Sequence, residues 1–579
     1  MAPKLSLIFS LILCSCLLLL AGCEKVEQQS ASPPTNEAQQ SWDSYVNDFL
    51  EAYFVARPDF AVRAGRHEFD GQLPDYTPEG IANEIKRLRA EKERVAKFEN
   101  STLDERQRFE RDYVQAVIDH DLFWLESAEW PYRNPYFYAE AIDPDVFVSR
   151  AYAPLDQRLR AYTTYAKAVP AVLEQIRKNL RTPLPRTYVD IGRISFGGLV
   201  SFYENDVPAV FESVKDEALQ KEFREANATA AKAMKELDAW LQSQEATATD
   251  RFAIGAEKFS EMLRATERVT VRLDELETAG RRDLERNQKA LADACTKYAP
   301  GQTLRTCVEK AESVKPAGGS VEAAREQLKE LKQFLIDKKI VSIPGTEEAL
   351  VAEAPAYRRW NFAYINIPGP YEKGLPSTYY IAPPDPAWSA QERAAYLPGR
   401  ANLLFTSVHE VWPGHFLHFL HAKRSPSKFG QVFVGYAFAE GFAHYTEEMM
   451  WEAGLGDGDP ETHIGQLLNA LLRNVRYLAA IGMHTGQMTV AEAEQMFRDE
   501  GYQDAGTARQ QAARGTFDPA YLNYTMGKLM IRKLREDWTA AHGGRESWQR
   551  FHDEFLTYGG PPIPLVRKAM TGSEGGALF

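Results

Sequence analysis

A cluster of histidines and a carboxylate lies in residues 408–418, inside an otherwise apolar stretch. The segment reads VHEVWPGHFLH and holds three of the chain's 11 histidines, with Glu410 beside His409. Histidine nitrogens and carboxylate oxygens are good ligands for Zn²⁺, and a glutamate beside a ligating histidine is the general base of peptidases that carry HExxH. The pattern therefore indicates a metal site with a base next to it.

The spacing of these histidines differs from HExxH. Pro413 stands four residues after His409, and the next histidine, His415, lies at i+6. On a helix that turns by ~100° per residue, positions i and i+4 lie ~40° apart, whereas i and i+6 lie ~240° apart. Because proline lacks an amide hydrogen and glycine permits unusual backbone angles, we expect a broken turn at Pro413 and Gly414 that returns His415 to the side of His409.

A second motif follows downstream, on another predicted helix. The string FAEGFAHYTEE occupies residues 438–448 and contains Glu440. Together, HEVWPGH and AEGFAHY resemble the bacterial family known as domain of unknown function 885, which is grouped with zincin-like metallopeptidases of the gluzincin type. Two further strings resemble the same family, one at 476–486 and one at 524–529.

This resemblance implies a set of metal ligands. In gluzincin peptidases the third ligand is a glutamate on the helix after the one that carries the histidines. One Zn²⁺ per chain would then be held by His409, His415 and Glu440, with Glu410 as the general base. His418, three residues after His415, is an alternative second ligand.

Three more residues lie in the strings that resemble the family, and we expect each of them to contact the substrate or the reacting atoms. Tyr524 and His484 are candidates for stabilising an oxyanion, because buried tyrosine or protonated histidine commonly donates a hydrogen bond there. Arg476 is a candidate for binding a substrate carboxylate, which would suit a carboxypeptidase or dipeptidase, and a structural ion pair is the competing interpretation. The expected function is a zinc-dependent peptide hydrolase in which activated water attacks the scissile amide.

The elements that must position these residues are mostly helices. Apolar residues recur at helical spacing, and the predicted helices of the presumed catalytic half are 401–423, 431–453, 460–484, 490–499, 518–541 and 546–556. Two β-prone runs, 361–370 and 377–384, predict a short hairpin just upstream of the histidine motif. We predict a mainly α fold with a small β-hairpin or sheet, and the resemblance implies a large multi-helix, zincin-like metallopeptidase fold.

The first 22 residues have the features of a lipoprotein signal peptide. A lysine precedes an apolar run that is too short to span a membrane, and the run ends in the lipobox LAGC at Cys23. We expect cleavage before Cys23, lipidation of its thiol, and a flexible tether at 23–40. The expected location is the bacterial envelope, at the outer membrane and facing the periplasm, with the lipid as the attachment.

The sequence pattern divides the remaining chain into three regions. They are an N-terminal helical region at 41–250, a helical segment with a disulfide loop at 251–345, and a catalytic region at 346–579. In an oxidising compartment Cys295 and Cys307 are expected to form one disulfide. The formal net charge of −13, without a basic block, argues against nucleic acid as a partner. The expected partner is a peptide substrate, and no oligomeric state follows from the sequence.

Two other classes of function were compared with the hydrolase. Ser425 to Lys428 matches the SxxK motif of penicillin-binding enzymes, but the SDN and KTG companions are absent and Pro426 favours a loop. The second alternative is a lipoprotein that holds metal structurally, or an inactive relative that binds peptides or envelope components. Structural zinc sites usually have four protein ligands and no neighbouring base, so Glu410 favours catalysis.

Overall fold

Helices make up most of the chain, as the apolar spacing predicts. The computed structural model describes residues 41–355, 359, 362–386, 388–573 and 579. The predicted leader, the tether and Cys23 lie outside the described residues. In the first half the helices are α1 Trp42–Ala56, α2 Pro58–Ala64, α3 Pro78–Val95, α4 Glu105–Leu122, α5 Trp130–Arg133, α6 Asp145–Ser149, α7 Leu155–Asn179, α8 Arg186–Ser201, α9 Val207–Phe211, α10 Glu217–Gln244, α11 Ala256–Glu267, α12 Leu273–Tyr298, α13 Leu304–Ser313 and α14 Ser320–Lys338.

The second half carries the helices that hold the histidine motif. They are α15 Ala390–Tyr396, α16 Arg400–Glu410, α17 His415–Ala422, α18 Lys428–Val432, α19 Tyr436–Glu452, α20 Pro460–His484, α21 Val490–Asp499, α22 Ala505–Phe517, α23 Asn523–Ala540, α24 Trp548–Thr557 and α25 Ile563–Thr571. The predicted bounds of α20 and α21 are confirmed. The predicted helix at 401–423 is two helices with a break between them, and α15, α22 and α25 were not predicted.

A three-stranded sheet lies just before the histidine motif. Its strands are β1 Ala349–Glu353, β2 Ala363–Asn366 and β3 Ser377–Ile381, in the order β1-β3-β2. The predicted hairpin is confirmed as the antiparallel pair β2 and β3, whereas β1, which pairs parallel with β3, was not predicted. Strand β2 forms one edge of this sheet and contacts α16.

Two hydrophobic cores hold the helices together. The first consists almost entirely of residues between 42 and 241, and the second is formed mainly by residues from 252 onward. Helix α20 is buried on nearly all its faces, so it is the central helix of the second core. Helices α16, α19 and α23 each pack against α20. Residues 42–579 form one compact unit. The three regions predicted from the sequence pattern are therefore parts of this unit.

The predicted disulfide joins Cys295 of α12 to Cys307 of α13. Both cysteines are buried in the second core, and the bond joins positions that are twelve apart in the sequence. By the chain-entropy argument a loop of this size stabilises the fold by about 3 kcal/mol. Within the described residues, no helix combines the length and the apolar character needed to cross a bilayer.

Candidate metal centre

The break in the histidine motif brings His409 and His415 together. Helix α16 ends at Glu410, and α17 begins at His415. Gly414 stands at the break because a Cβ there would collide with the His409 carbonyl oxygen. The two imidazole rings are 4.8 Å apart between centroids and nearly perpendicular. The expected return of His415 to the side of His409 is therefore what the structure shows.

Glu440 of α19 completes a group of three potential ligands. Its Oε2 lies 3.2 Å from His409 Nε2 and 3.3 Å from His415 Nε2. In a tetrahedral zinc site with bonds of about 2.0–2.1 Å, neighbouring ligand atoms lie roughly 3.3 Å apart. All three atoms lie within 4.8 Å of one another, and no other group of this kind occurs in the described residues. The donor atoms and the two distances to Glu440 Oε2 fit a zinc ion.

The charges in this group suit a cation. Burial would raise the pKa of Glu440, but the adjacent His415 and His409 hold it well below the usual range. Burial lowers the pKa of His409, but its two carboxylate neighbours outweigh this and raise the pKa to about 9. In the metal-free protein the cluster therefore combines an ionised carboxylate with a protonated imidazole, whose proton a metal ion would replace.

A second glutamate orients His409 from behind. Glu447 is fully buried on α19, two turns after Glu440, and its Oε1 lies 2.7 Å from His409 Nδ1. Arg473 of α20 contacts the same oxygen at 3.3 Å, and His444 Nδ1 lies 3.1 Å from Glu447 Oε2. Burial opposes ionisation of Glu447, but the Arg473 charge and then His444 hold its pKa well below the usual range. With a metal on Nε2, His409 would donate its Nδ1 hydrogen to Glu447.

Replacing Glu447 by glutamine is expected to weaken zinc binding by roughly 10- to 100-fold, the usual cost of removing a partner that orients a ligating histidine. The amide keeps the shape of the side chain but loses the charge that fixes the His409 tautomer. The measurement is zinc affinity by competition with a chelator of known affinity.

The matched control is Glu452→Gln on the same helix. Glu452 pairs with Arg535 and does not contact the histidines. The zinc affinity of the Glu452→Gln protein should equal that of the wild type. Equal affinities in Glu447→Gln and wild type, with both proteins folded, would contradict the orienting role.

Glu410 follows His409 directly and has an unpaired carboxylate. It is 9 % exposed, and its carboxylate has no hydrogen-bond or ion-pair partner within the described part of the chain. Burial, and next the charge of Glu410, raise the pKa of the Tyr379 hydroxyl on strand β3. The position beside His409 is the one the sequence predicts for a base.

Tyr524 of α23 lies against the cluster and is surrounded by arginines. Its ring stacks on His409 at 6.2 Å between centroids. Burial, and next the charge of Glu440, raise the pKa of Tyr524, so its hydroxyl keeps its proton at neutral pH. Arg476 lies over the same ring with Cζ 4.8 Å from its centroid, and its Nε donates to Gln511 at 2.8 Å. The structure thus brings Tyr524 to the cluster, and Arg476 contacts Tyr524.

Close helix packing and one buried acid set the positions of Glu440 and Tyr524. Gly441 of α19 and Gly527 of α23 meet backbone to backbone, and a Cβ on either would overlap the other chain segment. Glu267 of α11 accepts hydrogen bonds from the Ala437 amide and the Asn523 side chain, and so joins the starts of α19 and α23. Burial raises the pKa of Glu267 to about 8.

The prediction for His484 needs correction. This residue ends α20, eight residues beyond Arg476, which is about 12 Å along the helix axis. Its Nε2 contacts the Gly515 carbonyl at 2.7 Å, and its ring packs between Phe252 and Phe259. Burial lowers its pKa to about 4. His484 is therefore a neutral core residue that does not reach the metal cluster.

His418, the alternative ligand, also lies outside the cluster. Its Nε2 lies 2.6 Å from the Gly559 carbonyl oxygen, and its ring packs against Phe438. Burial lowers its pKa to about 3. The neighbour of His409 and Glu440 is His415, so the geometry favours the i+6 histidine.

Sequence reasoning missed Glu447, Arg473 and Glu267. The i+7 spacing of Glu440 and Glu447 places both on one face of a helix, and this was the available signal for Glu447. Arg473 lies one turn before Arg476 on α20, so it was detectable once that helix was predicted to face the site. Glu267 had no local signal because its partners are more than 150 residues away.

The comparisons with known proteins concern the whole chain. The sequence pattern of a family described as "Bacterial protein of unknown function (DUF885)" matches residues 58–570. A solved structure described as a candidate lipoprotein of unknown function from Shewanella oneidensis has 24% identity and a TM-score of 0.76, covering 92% of this chain and 100% of its own. A candidate lipoprotein from Colwellia psychrerythraea has 15% identity and a TM-score of 0.77, covering 92% and 99%. Both likenesses establish a shared fold. No curated protein sequence matches the chain.

Proposed function

The chain belongs to the DUF885 family, and we propose that its histidine–glutamate cluster makes it a zinc-dependent peptide hydrolase with a zincin-like fold. The observation that carries this proposal is the set of distances of 3.2 and 3.3 Å between Glu440 and the two histidines, with Glu410 unpaired beside them. His409, His415 and Glu440 would hold the ion. A bound zinc supplies Lewis acidity, which lowers the pKa of water to about 7 and polarises the scissile carbonyl.

Glu410 is the proposed general base. A carboxylate without hydrogen-bond or ion-pair partners in the described chain can accept a proton from the attacking water. The same carboxyl group can then donate that proton to the departing amine, as a single acid–base group does in amide hydrolysis. Partial burial at the edge of the cluster keeps the group close to the reacting atoms and restricts bulk water.

Tyr524 is the proposed donor to the oxyanion. Its hydroxyl keeps its proton because burial and the Glu440 charge raise its pKa. The stacking of its ring on His409 holds it beside the cluster, where the carbonyl oxygen of a substrate would gain negative charge. Loss of one such donor typically costs about 10²–10³ in kcat.

A catalytic site is favoured over a structural one by the number of ligands. Structural zinc sites are usually closed by four protein ligands, whereas catalytic sites have three and an open position. In the described chain the group contains three ligand atoms and a neighbouring free carboxylate. These features favour hydrolysis over a lipoprotein that holds metal for stability alone.

We further propose that the protein is anchored by lipid at Cys23 and faces the periplasm from the outer membrane. The support is the LAGC lipobox with Glu24 after the cysteine, and the description of two proteins of the same fold as candidate lipoproteins.

The test is hydrolysis of a peptide mixture by the chain from residue 24, followed by mass spectrometry. We expect cleavage with added zinc, loss of cleavage with a chelator, and recovery when zinc is returned. A folded, zinc-loaded protein that cleaves no peptide would contradict the proposal.

A further inference from the structure

Three arginines surround the ring of Tyr524, and they differ in their partners. Arg473, Arg476 and Arg514 have Cζ at 5.7, 4.8 and 5.8 Å from the ring centroid. Arg473 pairs with Glu447 at 3.3 Å, and Arg514 pairs with Asp518 at 3.0 Å. Within the described residues, the hydrogen bond of Arg476 goes to the neutral Gln511. Within the described residues, no carboxylate pairs with Arg476.

Arg476 is also deeply buried. It is 7 % exposed, and burial together with the like charge of Arg514 lowers its pKa. A buried cation without a counter-charge is costly, so proteins normally pair it. Its Nη atoms make no hydrogen bond within the described residues, and they are not completely enclosed by protein. A guanidinium that lacks a counter-charge and is not completely enclosed can bind an anion.

The position of this guanidinium relates it to the metal cluster. Tyr524 contacts both groups: Arg476 Cζ lies 4.8 Å from the centroid of its ring, and the His409 ring lies 6.2 Å from it between centroids. One residue of extended peptide spans about 3.3–3.6 Å. An anion on Arg476 would therefore lie within a few residues of the bond that the cluster would cleave.

We propose that Arg476 binds a carboxylate of the peptide substrate and thereby selects substrates that carry one near the scissile bond. The planar fork of arginine matches a carboxylate through two parallel hydrogen bonds. In a peptide this group is either the free C-terminus, which would make the enzyme a C-terminal exopeptidase, or an acidic side chain. This inference rests on the proposed function for its catalytic part, whereas the anion site itself can be measured by binding.

The experiment uses Glu410→Gln protein from residue 24, loaded with zinc, so that bound peptide is not cleaved. The probes are N-acetyl-Ala-Ala-Phe as the free acid, the same peptide as its C-terminal amide, and N-acetyl-Ala-Ala-Glu amide. Calorimetry measures their affinities. We expect the acid to bind roughly 10- to 100-fold more tightly than its amide, the usual effect of a hydrogen bond to a charged group.

The variants separate recognition from structure. In Arg476→Gln the preference for a carboxylate should disappear, and in Arg476→Lys part of it should return because the charge remains but the fork is lost. Arg509→Gln is the matched control, since Arg509 is an exposed arginine on α22, the helix that carries Gln511. If Arg476 had only a structural role, the Arg476→Gln substitution would weaken binding of the acid and of the amide equally.

Each outcome is decisive. Preference for the acid alone supports recognition of the C-terminus, preference for the glutamate amide alone supports recognition of a side chain, and equal preference for the two supports a site that accepts either carboxylate. Equal binding of all three peptides, or a preference unchanged in Arg476→Gln, would overturn the inference. The wild-type hydrolysis assay is read separately, so loss of the anion site and loss of peptidase activity remain distinguishable.

Discussion

Replacing Glu410 by glutamine is expected to lower kcat by about 10²–10⁴-fold while the protein still binds zinc. The amide is nearly isosteric with the carboxyl group but cannot accept the proton of the attacking water, and general acid–base catalysis contributes about this factor. Glu410 is not one of the three clustered ligands, so zinc binding should persist. The measurements are peptide hydrolysis and zinc content on the same preparation.

The control for this variant is Thr406→Ala on the same helix. Thr406 hydrogen-bonds the Asn402 carbonyl within α16 and has no proposed role in the chemistry. Its kcat should stay within a few-fold of the wild type. A Glu410→Gln protein with full activity, or one that loses zinc, would contradict the assignment of Glu410 as the base.

Replacing His415 by alanine is expected to remove zinc binding and hydrolysis together, whereas His418→Gln should retain both. His415 Nε2 lies 3.3 Å from Glu440, and His418 is directed at the Gly559 carbonyl instead. Loss of one of three ligands leaves two, which should weaken zinc binding by more than about 100-fold, beyond the loss expected for a partner that only orients a ligand.

The comparison decides between the two histidines that follow the break. His418→Gln removes the imidazole from the same helix and tests whether any perturbation of α17 is enough to release zinc. Thermal unfolding of both variants shows whether they are folded. Retention of zinc by His415→Ala, together with its loss from His418→Gln, would contradict the assignment.

Parts of the fold with strong local signals could be predicted from the sequence. Helices α20 and α21 have the predicted bounds because each begins with a clear cap. Asp459 caps α20 ahead of Pro460, and Thr489 forms a capping box with Glu492 at the start of α21. The break before His415 was also predictable, since the i+6 spacing together with a proline and a glycine requires it.

The rest depends on contacts between distant residues. Strand β1 has no signal of its own strong enough to specify its parallel pairing with β3. Helix α22 was missed because it carries few large apolar side chains. Likewise, a motif-based argument could not separate Tyr524, which reaches the cluster, from His484, which packs in the core. The direction of each side chain is decided by packing.

The most direct test of the account is the zinc content of the chain from residue 24, measured by elemental analysis beside that of His409→Ala. We expect about one zinc per chain in the wild type and none in the variant, because His409 lies between Glu440 and Glu447 at the centre of the cluster. A folded wild type that takes up no zinc after dialysis against it, or a His409→Ala protein that keeps its zinc, would contradict the metal centre.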